Sequence, residues 1–266
     1  MKRLINIEWY KLRYHTPFWI FAGLHIVILL LIFLSAKFFL DFLAGKGEMI
    51  NNVIDPSRIP VLQFPDIWHN MTYVAGFLKI ILAIYVIISV CNEISFGTLR
   101  QNIMNGMSRA EFMLSKFFLI LLLSLSSTIF LLLAGLVLGF IYTGGIELHA
   151  VLKYSGFLPA YFLQVTLYLL AAFLLALVIR RTGLTMGLLI LYTYIIEPII
   201  VFRIKTEWIK GLFPLRAINN LIRFPFKKYL LRETQDYVAI QDLGIALVYT
   251  ALFIYLIYLV LKKRDL

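Results

Sequence analysis

An all-α integral membrane protein is the fold class this sequence predicts, and three observations predict it. The 266 residues are 62% hydrophobic and only 15% charged, with a mean hydropathy of +0.90. Water-soluble domains carry roughly 45–50% apolar and about 25% charged residues, so composition alone argues against one. The apolar residues also fall into six runs, each near the roughly 20 residues that cross a bilayer core. Finally, the runs are long and unbroken, whereas barrel strands alternate over segments of about ten residues. Lipid offers no partner to a free N–H or C=O, so each run must close its own hydrogen bonds as a helix. The chain 1–266 reads as a single membrane domain.

The runs lie at about 18–40, 74–91, 113–142, 157–179, 184–202 and 243–261. The basic start, MKRLINIEWYKLRYHTPFW, leads into a run too long for the 7–15-residue core of a signal peptide, so it is read as a retained first span. The third run exceeds what one crossing needs, which implies tilt or an interfacial start around 112–118. The short clusters Arg180-Arg181 and Lys262-Lys263-Arg264 fall on the side of the basic N-terminus. The positive-inside rule then places both termini in the cytoplasm. Two sizeable connections, 41–73 and 203–242, lie outside. The first holds Pro56, Pro60 and Pro65 before Phe64, Trp68 and Tyr73, aromatics suited to the headgroup belt. In the second, Leu215, Ile218 and Ile222 follow helical spacing, opposite Arg216, Asn219, Asn220 and Arg223. Pro214 opens that outer amphipathic helix and Pro225 closes it.

The net charge of +11 fits loops beside anionic headgroups, so membrane lipid is an expected partner and nucleic acid is not. One cysteine, Cys91, excludes an intrachain disulfide framework. GxxxxGK[ST], HExxH and GxSxG are all absent, and the four histidines show no metal-ligand spacing. Neither a catalytic nor a metal residue is assigned. His25 is the one histidine within a run, where bonding to a neighbouring helix is the simpler reading. Lys37 and Lys79 are placed near span ends, within snorkelling reach of the interface. Gly135 with Gly139, and Gly183 with Gly187, permit close helix approach. Ser124, Ser126, Ser127 and Thr128 cluster midway along the third run: helix–helix glue or bonds to their own backbone carbonyls, or, for Ser124 and Ser127, part of a substrate path. Glu197 followed by Pro198 marks a costly acid at a helix break. Either it ends a kinked helix beside Arg203 or Lys205, or it forms an outer gate.

The polar stretch NEISFGTLRQNIMNGMSRAEFMLSK, residues 92–116, is longer than a turn requires. Phe96, Leu99 and Ile103 follow i, i+3, i+7 and predict a short helix with an apolar edge flanked by Arg100 and Gln101. Asn105-Gly106 reads as its stop, and Ser108 with Glu111 as a capping box for the next helix.

This stretch resembles the cytoplasmic segment of type-2 ABC exporter permeases. Glu93, Gly97, Thr98, Leu99, Arg100, Ser108, Arg109 and Lys116 match that pattern in order and spacing, while Met107 stands where the family often has proline. IEWYKLRYHTPFWI, with Glu8, Lys11 and Arg13, is similar to the family's N-terminal elbow helix. The resemblance covers the whole chain in layout, and its specific residues lie mainly in 5–20 and 92–116. It implies a permease subunit of an ATP-driven exporter in a bacterial cytoplasmic membrane, moving an amphipathic or hydrophobic cargo: a peptide, an antibiotic or a lipid-like molecule. It further implies a coupling helix formed by Glu93, Phe96, Gly97, Thr98, Leu99, Arg100, Ile103, Ser108 and Arg109. The chain would carry no cofactor and no ATPase activity of its own. Two copies of a separate ATP-binding subunit would hold ATP and Mg, and a second permease chain, identical or homologous, would complete the dimer. The alternatives are an intramembrane enzyme acting on lipid or peptide, and a non-transporting sensor or immunity partner on the same scaffold.

Overall fold

The computed structural model describes residues 2–45, 60–145, 148–225 and 237–263. Pro56, residues 226–232 of the basic segment and Arg264 lie outside the described residues. Among the described residues all regular structure is helical. Helix α1 is Lys2–Tyr14, α2 is Thr16–Gly45, α3 is Ile67–Ser95, α4 is Thr98–Met104 and α5 is Arg109–Tyr142. After these come α6 (Leu148–Leu152), α7 (Phe157–Ile179) and α8 (Thr182–Leu191), then a π-helical turn at Tyr192–Ile196 leading into α9 (Glu197–Arg203). The series ends with α10 (Glu207–Gly211), α11 (Pro214–Asn220) and α12 (Ile240–Lys263). Six helical segments are long and apolar enough to cross a membrane, which makes this a multi-pass membrane architecture.

Helices α3 and α7 form the centre and are the most buried of the six spans; α12 is the least. Inside lipid an apolar side chain gains little by leaving one oily surface for another, so tight packing by small residues matters more. Ala75 and Ala83 on α3, and Ala172 and Ala176 on α7, are fully buried in that centre. At one end His69 of α3 stacks on Phe157 of α7, with ring centroids 4.0 Å apart. Tyr85 meets Phe18 edge-on at 5.5 Å and ties α2 to α3.

One span boundary differs markedly from expectation. The second span begins at Ile67, seven residues before the expected 74, because its polar residues find distant partners. Trp68 Nε1 donates to the Val151 carbonyl at 2.7 Å, His69 Nε2 to that of Arg223 at 2.8 Å, and Asn70 Nδ2 to that of Val61 at 3.0 Å. Lys79 is consequently deep in its span and buried, not near the end. The third span is one continuous helix of 34 residues from Arg109.

Gly135 and Gly139 do provide close approach, but to aromatic rings. A Cβ at Gly135 would lie 2.6 Å from Trp68 Cζ3, and one at Gly139 would overlap the Phe64 ring. Around Gly183 and Gly187 nothing lies within 4 Å of a Cβ. Gly135→Ala and Gly139→Ala are expected to cost about 1–3 kcal/mol each through overpacking. Gly183→Ala should leave the thermal unfolding midpoint in mild detergent unchanged or raised.

Candidate functional site

Residues 95–108 form a compact knob between α3 and α5. Gly97, at φ +70°, turns the chain out of α3 and into α4. Glycine meets little steric cost there. The other end of α4 closes as a Schellman motif: Gly106, at φ +89°, donates to the Ile103 carbonyl, and Met107 N–H donates to that of Asn102 at 3.0 Å. Proline at 107 could not make the second bond. Ser108 then caps α5: its Oγ accepts from Glu111 N at 3.1 Å, and its own N–H donates to Glu111 Oε2 at 2.7 Å. The stop at Asn105-Gly106 and the capping box are therefore as the sequence predicts.

The expected apolar edge is not. Leu99 is buried and Ile103 packs against the core, but Phe96 precedes the helix and is 74% exposed. The turn at Gly97 breaks the helical phase that the spacing assumed. Met104, at 79% exposed, is the second large apolar side chain on the knob's surface, and Arg100 is exposed between them in sequence.

Beneath the knob lies a four-charge cluster in which Glu8 and Lys116 are buried and Lys11 is partly exposed. Lys116 Nζ, on α5, lies 2.8 Å from Glu93 Oε1 of α3 and 3.2 Å from Glu8 Oε1 of α1. Lys11 Nζ of α1 reaches Glu93 Oε1 at 3.2 Å, and Ser89 Oγ accepts from Lys116 at 3.3 Å. Two carboxylates thus face two ammonium groups, and three helices are fixed relative to one another. Beside the cluster His15 Nδ1 lies 3.3 Å from the Tyr85 hydroxyl. Burial chiefly, with help from Lys116, holds the His15 imidazole below its usual pKa, against an opposing pull from Glu93. Arg109 Nη1 donates to the carbonyls of Leu261 and Lys262 at 3.0 and 2.7 Å, satisfying the open C-terminal turn of α12. Thr98 Oγ1 donates to the Glu93 carbonyl at 3.1 Å.

The remaining candidate residues lie elsewhere. Glu197 is buried, and its carboxylate accepts from the backbone N–H groups of Leu215 at 3.1 Å and Arg216 at 2.5 Å. It caps α11 from another helix, where Arg203 or Lys205 was the expected neighbour. Pro198 lacks the N–H that residue 194 would need, and the backbone widens into the π turn just before it. The apolar face of α11, Leu215 and Ile218, packs into the bundle, and the helix ends at Asn220, before Pro225.

Ser127 stands in a buried chain across three spans: His25 Nε2 lies 2.8 Å from its Oγ, which lies 2.8 Å from the Tyr161 hydroxyl. Ser124 is buried beside it, and Thr128 and Ser126 bond back to their own helix. His25 bonds to a neighbouring helix and Ser127 acts as helix–helix glue, as expected, but the sequence did not show that they pair with each other or that Tyr161 joins them, since the members are 102 and 34 positions apart. Sequence reasoning missed the Glu8–Lys116 pair for the same reason, although two acids and two lysines near span ends were visible. No family model matches the chain, and no curated protein matches it at a significant level.

Proposed function

We propose that the chain is the permease subunit of an ATP-driven exporter and that the 95–108 knob receives the stroke of a separate ATP-binding subunit. One observation carries this reading. The knob presents Phe96 and Met104 outward while its base is locked to α1, α3 and α5 by the buried charges. Exposed apolar side chains on a rigid protrusion suit a docking contact. The lock supplies the stiffness needed to carry a displacement into the spans.

The resemblance supports the same reading in a new way. The stretches 5–20 and 92–116 meet in space: Glu8 and Lys11 from the first contact Glu93 and Lys116 from the second. In this reading α1 is the elbow, α4 the coupling helix, and the knob faces the cytoplasm of a bacterial cell. ATP and Mg belong to the partner, the membrane domain is completed by a second permease chain, and the cargo is amphipathic or hydrophobic.

The test is purification of the tagged chain in mild detergent, with its companions identified by mass spectrometry. A stoichiometric protein carrying GxxxxGK[ST] is expected. Phe96→Ala with Arg100→Ala should lower its recovery about tenfold, the loss of one interface anchor, with membrane insertion unchanged. Undiminished recovery and ATP-dependent transport by the double variant would remove the knob from the coupling role.

A further inference from the structure

At the end of the bundle opposite the knob, α3, α7, the π turn and the 210–225 segment enclose a cavity of about 820 Å³. That is within the roughly 300–1,000 Å³ of small-molecule sites. Lys79, Lys210, Arg216 and Arg223 line it, and among the described residues no carboxylate does. Arg223 is paired with Asp242 at 2.8 Å. Lys79 has no such partner among the described residues: its Nζ donates to Asn219 Oδ1 at 2.7 Å and lies 5.3 Å from the centre of the Tyr168 ring. This lysine is twelve residues into α3, about 18 Å along the axis at 1.5 Å per residue. An ammonium so deep in a membrane span is costly, and such residues mark substrate or ion sites.

A second buried polar group points the same way. Gln164 lines the cavity at 3% exposure, and its Oε1 has no hydrogen-bond partner among the described residues. A Cβ at position 76 would sit 3.1 Å from that oxygen, so Gly76 leaves room for the amide against α3. The rest of the wall is largely aromatic and apolar, with His69, Thr193, Asn219 and Asn220 as further polar members. Phe77 and Tyr194 line it while remaining 55% and 50% exposed on the outside of their spans. The cavity therefore reaches the flank of the bundle between α3 and the π turn.

We propose that this cavity binds the anionic head of an amphiphile, a carboxylate or phosphate on an alkyl chain, with Lys79 as its deep contact. Arg216, exposed on the wall, meets the head on entry, and the chain leaves between Phe77 and Tyr194. Charge selects the head, since a wall lined by these cations disfavours cationic amphiphiles. The aromatic flank selects a tail over a bare ion. Binding requires no nucleotide and no partner, so it stands or falls separately from the ATPase reading.

The test uses the purified full chain in neutral detergent, titrated with dansylaminoundecanoic acid and with its methyl ester, and followed by dansyl fluorescence. Saturable binding of the acid, about tenfold or more tighter than the ester, is expected from one charge-assisted contact. Lys79→Gln should lose about that factor and Arg216→Gln a smaller one, while Arg13→Gln, at the other end of the bundle, should lose none. Dodecyl phosphate should displace the probe, and inorganic phosphate at the same concentration should not. In nanodiscs, block by phosphatidylglycerol would assign the site to a bilayer lipid, and persistence of probe binding to a free amphiphile. Equal affinity for acid and ester in the wild type would overturn the proposal whatever the variants do. Displacement by inorganic phosphate alone would overturn the tail contact.

Discussion

Lys116→Met is expected to destabilise the chain by about 3–5 kcal/mol, because it strands buried carboxylates without their cation. Lys116 is 1% exposed, and Glu8, 3.2 Å away, is 3% exposed. Among the described residues Glu8 has no other ion pair, whereas Glu93 retains Lys11. Glu8 is the carboxylate that suffers, so α1 should be the element that lets go. Unfolding in mild detergent, followed by tryptophan fluorescence, gives the midpoint, and protease sensitivity within 2–14 reports the release of α1. The triple variant Glu8→Gln, Glu93→Gln, Lys116→Met removes the stranded charges along with the pair and should recover most of the loss. A midpoint for Lys116→Met equal to wild type would mean that the carboxylates reach water and that the cluster does not lock the knob.

The lock bears on function through stiffness. A push on 95–108 can reach the spans only if the knob does not yield first. Its two turns are closed by backbone bonds, its exit helix is capped by Ser108 and Glu111, and Arg109 ties that exit to the end of α12. A knob undone by Lys116→Met would still display Phe96 and Met104, so docking and transmission are separable. In the proposed exporter that variant should retain its ATP-binding partner better than it retains transport.

How much of this was legible depended on the range of each interaction. The six spans were, because run length and polarity are local. The Asn105-Gly106 stop and the Ser108–Glu111 box were too, since each involves residues within five positions. The position of Phe96 was misread because i, i+3, i+7 spacing was carried across Gly97, where a left-handed residue resets the helical phase. The start of α3 was misread because hydropathy counts Trp68, His69 and Asn70 as polar without seeing that Val151, Arg223 and Val61 satisfy them. That error placed Lys79 at a span end and hid the cavity. The pairing of Glu8 with Lys116 was not legible at all, since it depends on how α1 packs against α5.

Glu197→Ala is expected to free α11, by about 2–4 kcal/mol, since two N–H groups lose a charged acceptor and one is fully buried. A carboxylate at the start of a helix also meets the positive end of its dipole, which the alanine forfeits. The loss should stay local, because Leu215 and Ile218 still pack into the bundle. Hydrogen exchange of 214–222 is then expected to speed up by about thirtyfold or more, with 80–95 of α3 unchanged. Glu197→Gln keeps a carbonyl acceptor of the same reach and should recover about half of the protection. The consequence extends to the cavity, since Asn219 on α11 holds the Lys79 ammonium at 2.7 Å. As α11 loosens, Asn219 holds the Lys79 ammonium less often, and the dansyl acid should bind more weakly to Glu197→Ala although Glu197 does not line that cavity. Unchanged exchange at 214–222 would show that apolar packing alone seats α11, and Glu197 would then return as a candidate for the gate.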